Sequence, residues 1–398
     1  MNRFERKTLS RHEPTTPANG RKDGNGKGSL LSRSMIGRCV VVIGLLYCVF
    51  HFNREDTASP NSRVSSHNLR FSPNEYGPSF LESYILRHTK ELGYNVGDPE
   101  KIPDACAVWK DSSVSAIYDD LHKYRAELDE YNRLLKNYPG AKVDDVRLHL
   151  DEGICDTLEV KKGGLQSIFK SGLLSRVGDT GFVEPMLPPM RHPGICDDYK
   201  KHLMDMGYLV HDFGAMCRKL KRHSRTVFVD MGAALDFHKG TGVKPAIYVT
   251  HIYKLFGFKF DHIYAYELKP KDPKDVYERI PDDLRASYHW FNVGVDSDPN
   301  SSNNPLKMIK DNFNEDDFIV VKLDIDTSSI EVPLAYSLLS DQKLLDLIDV
   351  FYFEHHVHML PIWENWKLHK QNVGGNLEDS LKLFTDIRKR GIASHSWP

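Results

Sequence analysis

The chain has 398 residues, 40% of them hydrophobic and 11% aromatic, with a formal net charge of −2. That is room for one to three domains and apolar content enough for a sizeable core. The charge is uneven: residues 1–38 carry nine Lys and Arg against Glu5, Glu13 and Asp23, a local +6 that leaves −8 for the rest, and an acidic body excludes general nucleic-acid binding.

Residues 1–34 show no hydrophobic periodicity and read as a basic, disordered, cytoplasmic tail. The run MIGRCVVVIGLLYCVFHF at 35–52 reads as one signal-anchor helix in a lipid bilayer, because no small-x-small cleavage site closes it and polar stretches isolate it on both sides. The positive-inside rule then predicts a single-pass type II membrane protein with residues 53–398 in the lumen of the Golgi or endoplasmic reticulum, and the short span suits thin early secretory membranes. Residues 53–78 read as a stem, and 79–222 as a mainly helical lumenal region. Helices are expected over 79–92, stopped by Gly93, over about 113–137, and over about 205–220. In the second, Ile117, Leu121, Tyr124, Leu128, Tyr131 and Leu135 form a stripe, read as a face packed on its own domain rather than a dimer seam, since it lasts under three heptads. The proline-dense EPMLPPMRHPG at 184–194 cannot be regular structure and reads as a surface loop, with Arg191 and His192 able to line a substrate mouth. Cys106, Cys155, Cys196 and Cys217 allow two disulfides in three pairings, and the lack of any CxxC spacing argues against zinc. Asn300-Ser301-Ser302 is a glycosylation sequon.

Residues 223–398 form the second region. Strand-like runs at 226–230, 261–267, 288–295, 317–324, 348–354 and 392–397 alternate with helical patterns near 245–256, 274–285, 304–313, 329–345 and 376–390. This rhythm predicts an α/β domain with a Rossmann-like, doubly wound parallel sheet. Asp230, Glu267, Asp296, Asp324 and Glu354 stand at or just beyond five consecutive strand ends, with Asp326 beside Asp324 and His355, His356 and His358 after Glu354. In an open parallel sheet such ends share one edge, so these groups converge on one crevice. A carboxylate at the second strand end, Glu267, can accept both hydroxyls of an adenosine ribose.

The succession FVDMGAALDF, IYAYEL, FIVVKLDID followed by Ile330-Glu331, and FYFEHHVH resembles the FkbM-type branch of class I S-adenosylmethionine-dependent methyltransferases, over about 226–398. The resemblance implies that Asp230, Gly232 and Ala233 hold the methionine end of S-adenosylmethionine, Glu267 its ribose and Asp296 its adenine. Lys322, Asp324 and Glu354 would then face cofactor and acceptor. The chain departs from the family pattern at Asp236, at Asp326-Thr327-Ser328 in place of Glu-Gly-Ala, and in lacking a seventh, antiparallel strand. A hydroxyl acceptor, a glycan or another small polar molecule, needs a base, and His355, His356 or His358 can serve near neutrality; with Asp324 or Asp326 they can instead bind a divalent metal, although no ligand set is assigned. Two alternatives stand beside this reading. LDID resembles the DxD motif of metal-dependent glycosyltransferases, and the departures fit a non-catalytic binding or scaffold domain.

Overall fold

The structure is a computed structural model that describes residues 75–98, 101–137, 165–221, 223–234, 245–255, 258–365 and 373–398. The tail, the apolar run 35–52, most of the stem, Cys155 and Asp236 lie outside the described residues. Among the described residues no helix is long and apolar enough to cross a membrane. Chain contacts divide the protein between Leu69 and Arg70, and every described residue belongs to the second unit.

Six strands form the main sheet: β4 (Thr226–Met231), β5 (His262–Tyr266), β6 (Tyr288–Phe291), β7 (Phe318–Leu323), β8 (Val350–Phe353) and β9 (Ala393–Ser396). Their order is β6-β5-β4-β7-β8-β9, and every pairing is parallel. The chain winds outward from β4 to β6, returns to the centre, and winds outward again from β7 to β9, which is the Rossmann-like order. The two central strands are buried along their whole length, as continuous apolar runs in a doubly covered sheet require. β9 pairs directly with β8, and among the described residues this sheet has no antiparallel strand.

All six predicted strands form within a few residues of their expected limits. Two predicted helices split. The 274–285 pattern becomes Pro273–Arg279 and Asp282–Arg285, because Pro281 cannot continue a helix and forces Ile280 into an extended conformation. The 329–345 pattern becomes Ser328–Ser340 and Gln342–Leu347, broken at Asp341, whose carboxylate caps the second piece through Lys343 N and Leu344 N.

The region before β4 is helical, as expected, but also carries a three-stranded antiparallel sheet of β1 (Tyr76–Gly77), β2 (Ser175–Val177) and β3 (Gly181–Val183). Strands of two and three residues are too short for alternation to mark them in a sequence. The helix Tyr118–Lys136 buries Leu121, Tyr124, Leu128 and Tyr131, and both tyrosines pack on Phe169, so the stripe is an internal face. Cys106 and Cys196 form a disulfide across 90 residues of sequence, and Cys217 is disulfide-bonded as well. Asn300 of the sequon is exposed.

The loop 184–194 differs most from its expectation. It is buried, not superficial: Glu184, Met186, Met190, Arg191 and His192 are each at most 6% exposed. Its backbone is irregular, but its methionines are apolar and its end is tied down by the disulfide at Cys196. It joins the two parts of the unit through Arg388 on the helix Leu377–Lys389. This fully buried guanidinium donates to Glu82 Oε2 (3.1 Å), to the Glu184 carbonyl (2.9 Å) and to the Ser394 carbonyl (2.7 Å).

Candidate functional site

The point where the sheet reverses its winding lies between β4 and β7, and in open α/β sheets ligands bind outside the carboxyl ends of the strands at such a point. Register rows decide what faces it. Asp230 on β4 pairs with Lys322 on β7 and Ala265 on β5; Lys322 pairs with Tyr352 on β8 and Ala265 with Trp290 on β6, so these side chains share one face.

Lys322 is fully buried, with Nζ 3.0 Å from both Asp230 Oδ1 and Asp324 Oδ2 and 3.4 Å from the Gly232 carbonyl. Burial works against its charge, but the two carboxylates outweigh burial and raise its pKa, so the ammonium persists. The Trp397 ring lies 5.7 Å from that ammonium.

After β4 the chain turns at Gly232, whose φ is +89°. A Cβ there would stand 1.6 Å from the Asp324 carbonyl oxygen, so only glycine fits. The Gly232 and Ala233 amides both donate to the Tyr266 carbonyl, at 3.0 and 2.9 Å. They tie β4 to β5, and the expected grip of these two residues on a methionine end is therefore not through their N–H groups.

Glu267 follows β5 and is 7% exposed. Its amide donates to the Phe291 carbonyl (3.0 Å), and its Oε1 accepts from Lys269 N (2.7 Å). Asp230 Oδ2, the Tyr288 hydroxyl and the Trp290 indole N–H are buried with no hydrogen-bond partner among the described residues. Burial, with Asp230 next in weight, raises the Tyr288 hydroxyl, so it stays a donor. Asp296 stands apart: it is exposed, and its carboxylate accepts from Asp298 N (3.0 Å) within its own loop.

A second group of side chains forms beyond β7 and β8. Asp324 N donates to the Met231 carbonyl (3.0 Å) and Glu354 N to the Leu323 carbonyl (3.1 Å), so Gly232, Asp324 and Glu354 form the next row out. His356 Nε2 lies 3.1 Å from Glu354 Oε2 and 3.9 Å from Asp326 Oδ1. Burial, reinforced by Asp324, pushes the Glu354 carboxyl well above the usual range. Arg191 comes in from the buried loop, with Nη2 3.7 Å from Glu354 Oε1. Glu331 holds the β7 loop by accepting from Ile325 N (2.7 Å) and Thr327 N (3.1 Å), and burial moves its pKa up to about 7.

The three histidines do not share one role. His355 stacks on Phe353, lies 3.3 Å from the Gly374 carbonyl through Nε2, and is kept neutral by burial, with its pKa lowered to about 4. His358 packs edge-on against Trp363. Only His356 joins the carboxylates. Tyr288, Trp290 and the loop-holding role of Glu331 escaped sequence reasoning. The alternation in YHWF was the one signal for the first two, since it puts Tyr288 and Trp290 on a common face.

No family model, curated protein or solved structure matches the chain.

Proposed function

We propose that the protein is an S-adenosylmethionine-dependent methyltransferase acting on a hydroxyl of a glycan or other small polar acceptor. One observation carries this reading: Gly232 is seated on the Asp324 backbone at the reversal of a Rossmann-like sheet, with the Glu267 carboxylate buried at the next strand end. The residues present fit such a cofactor, since Asp230 Oδ2 and the Tyr288 hydroxyl are buried polar atoms with no hydrogen-bond partner among the described residues. Asp230, Glu267 and Tyr288 would hold it, and Gly232 leaves the room that its close approach needs. The cofactor would supply an electrophilic methyl group.

The chain's own residues then orient an acceptor and take its proton. His356 is the base of choice, with Glu354 3.1 Å from its Nε2 to fix the ring. His355 does not serve, because its Nε2 faces the Gly374 carbonyl and burial lowers its pKa to about 4, so the ring accepts a proton poorly. The glycosyltransferase alternative needs Asp324 and Asp326 to share one cation; Asp324 instead salt-bridges Lys322, which favours the methyltransferase reading. The proposal includes a membrane anchor at 35–52 and a lumenal domain, and disulfide-bonded Cys106, Cys196 and Cys217 suit an oxidising compartment.

Thermal melting tests the choice between the two enzyme classes. S-adenosylhomocysteine should raise the melting temperature, and a sugar nucleotide should add nothing to the effect of Mn2+ alone. The reverse pattern would replace the proposal with the glycosyltransferase.

A further inference from the structure

We propose that Asn300 carries an asparagine-linked glycan, which rests on the lumenal placement of the domain included in the reading above. Asn300-Ser301-Ser302 fits the acceptor pattern Asn-x-Ser with a residue other than proline in the middle, and the pattern occurs nowhere else in the sequence. A tripeptide arises often by chance, and the fold decides whether an enzyme can reach it.

Here the fold presents it. Asn300 lies in the loop between β6 and the helix Pro305–Asn312. Ser301 N donates to the Asp298 carbonyl (3.0 Å), which closes a tight turn over Asp298-Pro299-Asn300-Ser301. Aspartate at the first position and proline at the second favour such a turn. The Asp298 carboxylate also accepts from Asn300 N (2.9 Å), so the turn is held by the backbone and by Asp298. The base of the loop is fixed by Asn304, which is 5% exposed, caps the following helix through Leu306 N and Lys307 N, and donates to the Asp298 carbonyl (3.0 Å). Two side chains are left over at the tip. Asn300 and Ser302 are both exposed, and neither the carboxamide of the first nor the hydroxyl of the second has a hydrogen-bond partner among the described residues. These are the two groups that a glycan transferase reads and modifies.

The donor is an oligosaccharide linked to a lipid through a diphosphate. The Asn300 Nδ2 lone pair forms a bond to the anomeric carbon of the sugar. The bond from that carbon to the diphosphate oxygen breaks, the lipid diphosphate leaves with the bonding pair, and Nδ2 gives up one proton. Because the carboxamide holds nothing in place, attachment removes no contact that the fold uses.

The test expresses the full chain in cultured eukaryotic cells, beside Asn300→Gln, Ser302→Ala and Ser302→Thr. Peptide:N-glycosidase should shift the wild type down a gel by a single step. Asn300→Gln and Ser302→Ala should both run at the digested position, and Ser302→Thr should keep the shift because it keeps the hydroxyl. Ser302→Ala leaves Asn300 and its turn untouched, so loss of the glycan there reports recognition rather than misfolding. Protection of the domain from trypsin in intact microsomes reads the lumenal placement separately. A protected wild type with no shift, or a shift that survives Asn300→Gln, would overturn this proposal alone. A wild type that trypsin digests in intact microsomes and that shows no shift would overturn the lumenal placement with it.

Discussion

Gly232 and Lys322 show how single residues set the crevice. Replacing Gly232 by Ala puts a Cβ 1.6 Å from the Asp324 carbonyl oxygen at a φ of +89°. The backbone conformation alone costs about 1–3 kcal/mol for a non-glycine residue, and the clash adds to it. Urea unfolding of Gly232→Ala should show a loss at least that large; a wild-type midpoint would refute the strain argument. His211 gives a pH prediction. It is buried, its Nε2 lies 2.6 Å from the Tyr352 hydroxyl, and burial, with His395 adding to it, lowers its pKa well below the ordinary 6.5. Above pH 6.5 the ring is neutral folded or unfolded. Below it, the unfolded chain takes up a proton that the fold refuses, so stability falls as pH falls. Between pH 6.5 and 5 the melting temperature of the wild type should therefore drop more steeply than that of His211→Gln, and parallel curves would contradict this. At this scale the sequence was informative about residue type and less so about partners. Strand-end acids are visible in a sequence, but that Lys322 joins two of them, that His355 faces a carbonyl and that Asp296 serves its own loop depend on which faces meet.

Among elements, the parallel strands were legible because β4 and β7 are buried on both faces and so carry the apolar runs Val227–Val229 and Phe318–Val321. Helix ends were less legible: Pro281 and Asp341 each cut one pattern in two, by backbone restriction and by capping. β1, β2 and β3 were invisible for want of length, and the loop 184–194 was misread because proline density reports irregularity, not exposure. That loop and the helix Leu377–Lys389 are joined at Arg388, which also reaches Glu82 on the helix Phe80–Arg87. Truncating one partner of a buried ion pair costs about 3–5 kcal/mol, because the other charge is left unpaired. Arg388→Ala should lose that much in chemical denaturation, and a loss below about 1 kcal/mol would show that the network does not join the elements as described.

For the whole molecule, the described residues belong to one unit, in which a helical region with a small antiparallel sheet precedes a Rossmann-like sheet. The disulfide between Cys106 and Cys196 closes a loop of 90 residues, and removing such a cross-link costs about 2–5 kcal/mol. Cys106→Ala should lower the melting temperature, and an unchanged one would refute that contribution. The methyltransferase proposal stands on an adenosyl sulfonium cofactor bound at the reversal between β4 and β7. Calorimetric titration of S-adenosylhomocysteine into the purified chain, beside Glu267→Ala, tests it most directly. Saturable binding is expected, weakened at least tenfold, about 1.4 kcal/mol, in the variant. A folded wild-type protein that releases no binding heat and competes for no labelled S-adenosylmethionine would contradict it.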